Sequence, residues 1–476
     1  MKGKFLGQIL MLFICVMCIK ATAYAQEAQY TDTVIETEGF ARGERVTDGD
    51  TDTYSKTAEG GQITISREDG ISGIYIKFDR LPQQWTLTIL DTGESFTCGN
   101  NGFLHEYVDV AALVDKGVDS LQLQFPAGTV IADVYGFSTG ELPKWIQRWE
   151  PPCEEADLLL ISSHSDDEQL FFAGILPYYA IERGLQVQVA YVVQHFEANG
   201  RANHVRPHEQ LDGLWAVGVT HYPLMSDFPD LYAESKDRDT AFAQASKVYE
   251  AQGITYDDFI GYLTECLRRC KPLVVVSHDL NGEYGHGTHV LCSSALTEAI
   301  AYAADETYRP ESAKQYGTWQ VEKTYLHLYK ENPIVMDWDI PLASLGGKTP
   351  FQVTREGFDC HKSQHWTWFY KWIYGNESRP VNKAADIRSY SPCKYGLYDS
   401  QVGADVIGGD FFENVSSYEE RAKAAAEAEA AAKAAAEEAA REQARLKKAA
   451  KEAQMVEISR QIMMALTDAR CSGSKD

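Results

Sequence analysis

The chain has 476 residues, too many for one ordinary domain at roughly 150 residues each, so two or three compact units are expected. With 44 basic residues against 69 acidic ones, the formal net charge is −25. So acidic a surface repels phosphate backbones, which excludes nucleic acid as a partner.

Residues 1–25 open with Lys2 and Lys4, run apolar from Phe5 to Ile19 and close on Ala23-Tyr24-Ala25. That is the layout of a secretory signal peptide cleaved after Ala25. The apolar run is shorter than the ~20 residues a membrane span needs. Bacterial-type Sec export is expected, giving a secreted or cell-surface-associated protein. Eight cysteines remain after cleavage, with none of the CxxC pairing of a zinc ribbon, and their disulfide state is left unassigned.

From about residue 30 to 140, "GQITIS", "GIYIKF", "WTLTIL", "SLQLQF" and "VIADVYGF" alternate apolar and polar residues between turn-forming Gly, Asp and Asn. Several short strands without an intervening helix predict a β-sandwich. The stretch "VTDGDTDTYSK" (Val46 to Lys56), followed by that strand series, resembles discoidin-like, galactose-binding-like jelly rolls. The resemblance implies a carbohydrate-binding module for cell-surface or cell-wall glycan.

Residues 141–156, "ELPKWIQRWEPPCEEA", read as a Pro/Trp-rich linker. Over 157–414 the pattern changes to strands alternating with amphipathic helices: "DLLLIS", a helical "EQLFFAGILPYYAIERG", "QVQVAYVV", a helical "RPHEQLDGLWAVGV", "YLTECLRRC" and "PLVVVS". This predicts a Rossmann-like α/β domain with a mostly parallel sheet covered on both faces. Residues 416–470 are nearly all strong helix formers, opened by a capping box in which Ser417 faces Glu420. A long helix follows, a solvated spacer over its alanine-rich first part. Met455, Ile458, Ile462 and Leu466 fall at coiled-coil spacing near its end and predict weak self-association there.

In an open α/β sheet, ligands bind at the carboxyl ends of the strands. "SHSDDE" follows "DLLLIS", and "SHDLNGEYGHGTH" follows "PLVVVS", so two His/Asp clusters stand where they can converge. An N-cap role accounts for at most one or two of these groups. Catalytic zinc takes three His or carboxylate ligands and leaves one position open. His164 and Asp167, three residues apart, can supply two ligands and His289 the third. Asp166 is then free as general base for an attacking water, and His286 can stabilise the oxyanion and protonate the leaving amine. Glu168 reads as a helix-start acid or a support for its neighbours, and His278 as a partner that orients a ligand. His195 and His361 match no motif. The aromatic run "HWTWFYKWIY" offers two readings, exposed rings that stack against sugars or a helix packed on the core, and its spacing favours the second.

Together, "SHSDDE" and "HDLNGEYGHGTH" resemble the two signature motifs of the PIG-L/LmbE-like zinc-dependent N-acetylglucosamine deacetylases, with "RPHEQ", "FPD" and "KTYLHLY" as further local matches. The resemblance implies one zinc ion on His164, Asp167 and His289, Asp166 as base and His286 as acid or oxyanion partner. It further implies that Tyr284 polarises the substrate carbonyl and that Arg206 and Asp230 contact the sugar. The chain departs from the family at Ser165, where proline is usual, and at Gly287 and Thr288, where Pro-Asp is usual.

The expected activity is removal of acetyl from a GlcNAc-type amino sugar in a glycan or glycoconjugate, by attack of activated water on the amide. The alternatives are a zinc amidase acting on a non-sugar N-acyl compound and a non-catalytic glycan or cell-wall adhesin.

Overall fold

The computed structural model describes residues 27–114, 117–198 and 201–472; the signal-peptide reading lies outside them. No helix among the described residues is long and apolar enough to cross a membrane.

Eight strands form the amino-terminal unit: β1 (Val34–Ala41), β2 (Ser55–Ile71), β3 (Gly73–Phe78), β4 (Trp85–Ile89), β5 (Ser95–Cys98), β6 (His105–Asp109), β7 (Val118–Phe125) and β8 (Val130–Phe137). The predicted alternation is realised directly. Leu87 and Ile89 of β4 pair with Leu123 and Leu121 of β7, and all four are buried, while the intervening Thr88 pairs with Gln122 toward the outside. The strand order is β5-β4-β7-β2-β8-β3-β6, with β1 on β2. Where a sandwich predicts two separate layers, the 17-residue β2 joins them. Its later residues, Gly61 to Ser66, pair with β7, and its first, Ser55 and Lys56, pair with β8.

Beyond the connector comes a seven-stranded sheet built from β9 (Leu158–Ser162), β10 (Val187–Tyr191), β11 (Leu224–Met225), β12 (Val274–Ser277), β13 (Lys323–His327), β14 (Pro333–Val335) and β15 (Lys394–Ser400). The order is β11-β10-β9-β12-β13-β15-β14, parallel from β11 to β13 and antiparallel at β15 and β14. Every residue of β9, β10 and β12 is buried, which explains their near-continuous apolar runs. Leu159 and Ile161 of β9 and Val275 of β12 share a core with Leu263 and Leu267 of one helix (Tyr256–Cys270) and Leu291, Ala295 and Ala299 of another (Gly287–Ala304). Burying each such leucine contributes about 1.5–3 kcal/mol.

The single helix expected after β9 is broken. Asp167–Leu170 forms one turn, and Pro177–Glu182 a π-helical one. Between them Gly174 has φ 92, and a Cβ there would strike the Trp338 indole. Pro177, without an N–H, then restarts the helical path. The aromatic run also differs from expectation. In its helix, Trp368–Tyr374, only Ile373 is buried, while Trp366 is 93% exposed.

The carboxyl-terminal unit is one helix, Tyr418–Ser472, of 55 residues, about 80 Å at 1.5 Å per residue. Its capping box is formed: the Glu420 N–H donates to Ser417 Oγ at 3.1 Å, and the Ser417 N–H donates to Glu420 Oε2 at 2.8 Å. Met455, Ile458, Ile462 and Leu466 are exposed along it.

Candidate active site

Because β9 and β12 are hydrogen-bonded neighbours, with Leu160 beside Val276, the two motifs leave the sheet side by side. His164 and Asp167 come from the turn after β9, and His289 from the first turn of helix Gly287–Ala304. Their polar atoms converge. His164 Nδ1 is 3.1 Å from Asp167 Oδ2 and 3.2 Å from His289 Nε2, and His289 Nε2 is 3.2 Å from Asp167 Oδ2. Three ligands at ~2.1 Å around a tetrahedral ion would stand about 3.4 Å apart, so the donor set and spacing fit a divalent cation.

Two overlapping triads, His164 with His286 and His289, and Asp167 with His278 and His289, also bring their atoms within 4.8 Å. They fit less well. Both nitrogens of His278 are already engaged, Nε2 accepting from the Ser163 N–H at 2.9 Å and Nδ1 lying 2.8 Å from Glu283 Oε2. The first triad puts a third histidine, His286, where the other has a carboxylate.

The electrostatics point the same way. Burial works against charge on Asp167, yet His289 and His164 outweigh it and hold the carboxylate well below its usual range. Burial likewise opposes charge on His164, but Asp167 and Asp230 push it up to about 10. His289, against the same burial, is raised to about 8 by Asp167 and Glu283. The pocket thus draws positive charge onto itself, the condition a cation would satisfy.

Around this triangle lies a shell that sequence reasoning largely missed. Glu283 is fully buried and meets three histidines: His289 Nδ1 at 2.7 Å, His278 Nδ1 at 2.8 Å and His327 Nδ1 at 2.6 Å. These partners outweigh its burial and keep it ionised, well below the usual carboxylate range. His195, on no motif, accepts the Ser165 N–H at 2.7 Å. Proline, usual in the resembling family at this position, could not make that bond. His361, also on no motif, is buried with Nε2 3.4 Å from Glu168 Oε1. For His278 and Glu283 the available signal was their place inside the second motif; for His195 and His361 it was composition alone, several His and acids that cannot all face water.

Asp166 has φ 112, a conformation that non-glycine residues rarely adopt and that costs of order 1–3 kcal/mol. Glu168 supports it by accepting the Asp166 N–H at 2.9 Å, the supporting role expected of that acid. Burial pushes the Asp166 carboxyl up to about 6, against the pull of Arg206, whose Nη2 is 3.4 Å from Oδ1. Arg206 also donates to the Ser165 carbonyl. Asp230 Oδ1 stands 3.5 Å from His164 Nε2, an ion-pair distance too long for a good hydrogen bond.

On the other wall, Tyr284 is held at φ 48 between two positive-φ glycines, Gly282 and Gly285. At Gly285 a side chain would collide with the Ser235 carbonyl. Burial keeps His286 well below the usual histidine range, and its Nδ1 has no partner. The residue two places on, Thr288, faces the Leu231 carbonyl and Tyr249 at 3.4 Å instead.

A cleft of about 190 Å3 opens onto this centre, lined by His164, Asp166, Asp167, Arg206, Asp230, Tyr284 and His286. His289 lies beneath it. Tyr232, Gln364 and Phe369 complete the rim; Phe369 belongs to the aromatic run that the sequence placed on the core.

The chain has similar sequences among known proteins. The chain is 27% identical over 212 residues to a 1D-myo-inositol 2-acetamido-2-deoxy-alpha-D-glucopyranoside deacetylase of Geodermatophilus obscurus, covering 41% of this chain and 68% of that one. It is 28% identical over 272 residues to deacetylase 2 of the same description from Saccharopolyspora erythraea, covering 53% of this chain and 86% of that one. Among solved structures, N,N'-diacetylchitobiose deacetylase from Pyrococcus horikoshii aligns at 16% identity with a TM-score of 0.33, over 49% of this chain and 83% of that one. The PIG-L family pattern, described as GlcNAc-PI de-N-acetylase, matches residues 159–300, the span that holds both motifs and all eight residues singled out from them. The chain therefore carries over residues 159–300 a PIG-L family domain, an amide-hydrolase unit whose named relatives are deacetylases.

Proposed function

We propose that this chain is an exported zinc-dependent hydrolase that removes the acetyl group from an N-acetylated, GlcNAc-type amino sugar. The observation that carries the reading is the triangle of His164, Asp167 and His289, with Asp166 beside it on the wall of a small cleft. Zinc held by these three residues would supply Lewis acidity and a readily ionised water.

The chain's own residues supply the rest. Asp166, ionised above about pH 6, takes the proton of the attacking water. Arg206 fixes that carboxylate and the Ser165 carbonyl behind it. Tyr284 keeps its phenol protonated, since burial raises its pKa, and can donate to the amide oxygen as charge develops there. His286 lines the cleft with an unpartnered nitrogen; neutral in the resting site, it would offer a ring N–H to the amide oxygen as charge develops there, and the proton that Asp166 takes from water is the one that passes to the leaving nitrogen. The Lys-led, Ala-X-Ala-ended first 25 residues support export, and the β-unit reads as a glycan-binding partner of the domain.

Acetate release from N-acetylated amino sugars by the zinc-loaded protein tests the reading. Release should occur and should be lost in Asp166→Ala. Undiminished release by that variant, or none from any such sugar with zinc bound, would overturn it.

A further inference from the structure

A second cavity, about 870 Å3, lies between the β-unit and the PIG-L domain. The two cavities share a rim: Arg206 and Gln364 line the cleft, and their chain neighbours Val205 and Ser363 line the groove. Glu209 pins that rim by accepting the Ser363 N–H at 2.7 Å and its hydroxyl at 2.5 Å. A cleft of about 190 Å3 is below the ~300–1,000 Å3 of ordinary ligand pockets, whereas the groove falls within it. The reacting unit fits the first, and the remainder of a larger molecule the second.

The groove floor carries a built acceptor. Trp149 Nε1–H, which can only donate, lies 2.8 Å from Gln147 Oε1, and Gln147 Nε2 donates to Asp212 Oδ1 at 2.5 Å. The Gln147 oxygen must therefore accept from His105 Nδ1–H, at 2.7 Å. Burial holds His105 and His208 well below the usual histidine range, so both are neutral. His105 Nε2 then accepts from His208 Nδ1–H at 2.7 Å, and His208 Nε2 is left as a bare acceptor. That atom is buried, has no partner, and belongs to a residue lining the groove. A buried acceptor without a donor costs about 1–3 kcal/mol, which a hydroxyl from a ligand would offset. Three indoles, Trp145, Trp215 and the 93%-exposed Trp366, line the same groove. Flat apolar faces and a hydroxyl acceptor in one groove match sugar rings, which present C–H faces and hydroxyl edges.

We infer that this groove binds the continuing chain of an oligosaccharide or longer glycan whose terminal amino sugar occupies the cleft, so the enzyme acts on chains in preference to single sugars. The inference rests on reading the cleft as a deacetylation centre, but binding can be measured without turnover. Calorimetric titration of the full chain carrying Asp166→Asn with N-acetylglucosamine and with hexa-N-acetylchitohexaose should show the hexamer bound about tenfold tighter or more. Trp366→Ala, at a surface position that folding does not depend on, and His208→Phe should each remove most of that advantage. Equal affinity for the two sugars, or an advantage that survives Trp366→Ala, would overturn the groove assignment. Acetate release without length dependence would remove the groove alone, and length-dependent binding without release would remove the deacetylase reading alone.

Discussion

His289 Nδ1–H donates to Glu283 Oε2 at 2.7 Å, and this one bond turns the Nε2 lone pair of His289 toward Asp167 and His164. A carboxylate behind a ligating imidazole fixes its tautomer and raises its basicity, and losing such a partner typically costs 10–100-fold in metal affinity. Glu283→Gln should therefore weaken zinc binding by about 10–100-fold. Because Gln can donate where Glu only accepts, at least one of the three histidines must also change tautomer. Chelator competition on the purified variant reads the affinity directly; wild-type affinity would show that Glu283 serves packing alone.

Asp166 is the group on which the pH profile should turn. Its carboxyl is raised to about 6 by burial, so it is protonated and idle as a base below that pH. Activity should fall as pH drops through about 6, and a cation beside it can only move that limb lower. Asp166→Asn should reduce kcat by about 10²–10⁴-fold with zinc content unchanged. A profile whose acid limb lies near pH 8, or a variant that loses its metal, would contradict the assignment.

Much of this centre was legible because it sits where strand patterns end. "DLLLIS" and "PLVVVS" are buried on both faces, so the polar residues that follow them mark the carboxyl edge of a parallel sheet. Glu283 was not legible as the hub: His278 and His289 lie five and six positions from it in the same motif, but spacing alone does not show that both turn onto one carboxylate, and His327 reaches it from 44 positions away. The same holds for His195 and His361, whose partners lie 30 and 193 positions away in the sequence. The aromatic run was misread because its helical spacing suits a core face, and nothing local reveals that Phe369 faces a cleft and Trp366 a groove. The break at Gly174 depended on Trp338, which lies 164 positions further along the chain.

Lys323 on β13 is fully buried, ion-paired to Asp405 and within 2.8 Å of the Glu413 carbonyl, while Tyr325 donates to the other oxygen of Asp405 at 2.8 Å. Removing one partner of such a pair strands the other charge. Asp405→Ala should destabilise the domain by about 3–5 kcal/mol, and Lys323→Met with Asp405→Leu by clearly less, because no buried charge then remains. Denaturant unfolding of the two variants compares them. Equal losses would mean that Tyr325 and the Glu413 carbonyl, not the charge, set the cost.

Ser165 offers the sharpest test of how this chain differs from the family it resembles. Proline at this position would ordinarily be expected to stabilise, since it restricts the unfolded chain. Here the Ser165 N–H is the donor to buried His195 Nε2, and proline has none to give. The acceptor, buried with Ser165, would be left unpaired at a cost of about 1–3 kcal/mol. Ser165→Pro should therefore lower the melting temperature. His195→Leu removes the stranded acceptor, so the double variant should recover stability relative to Ser165→Pro alone, a coupling that a thermodynamic cycle isolates. If Ser165→Pro instead raises the melting temperature, the His195 bond contributes nothing and the departure at Ser165 is neutral drift in the loop.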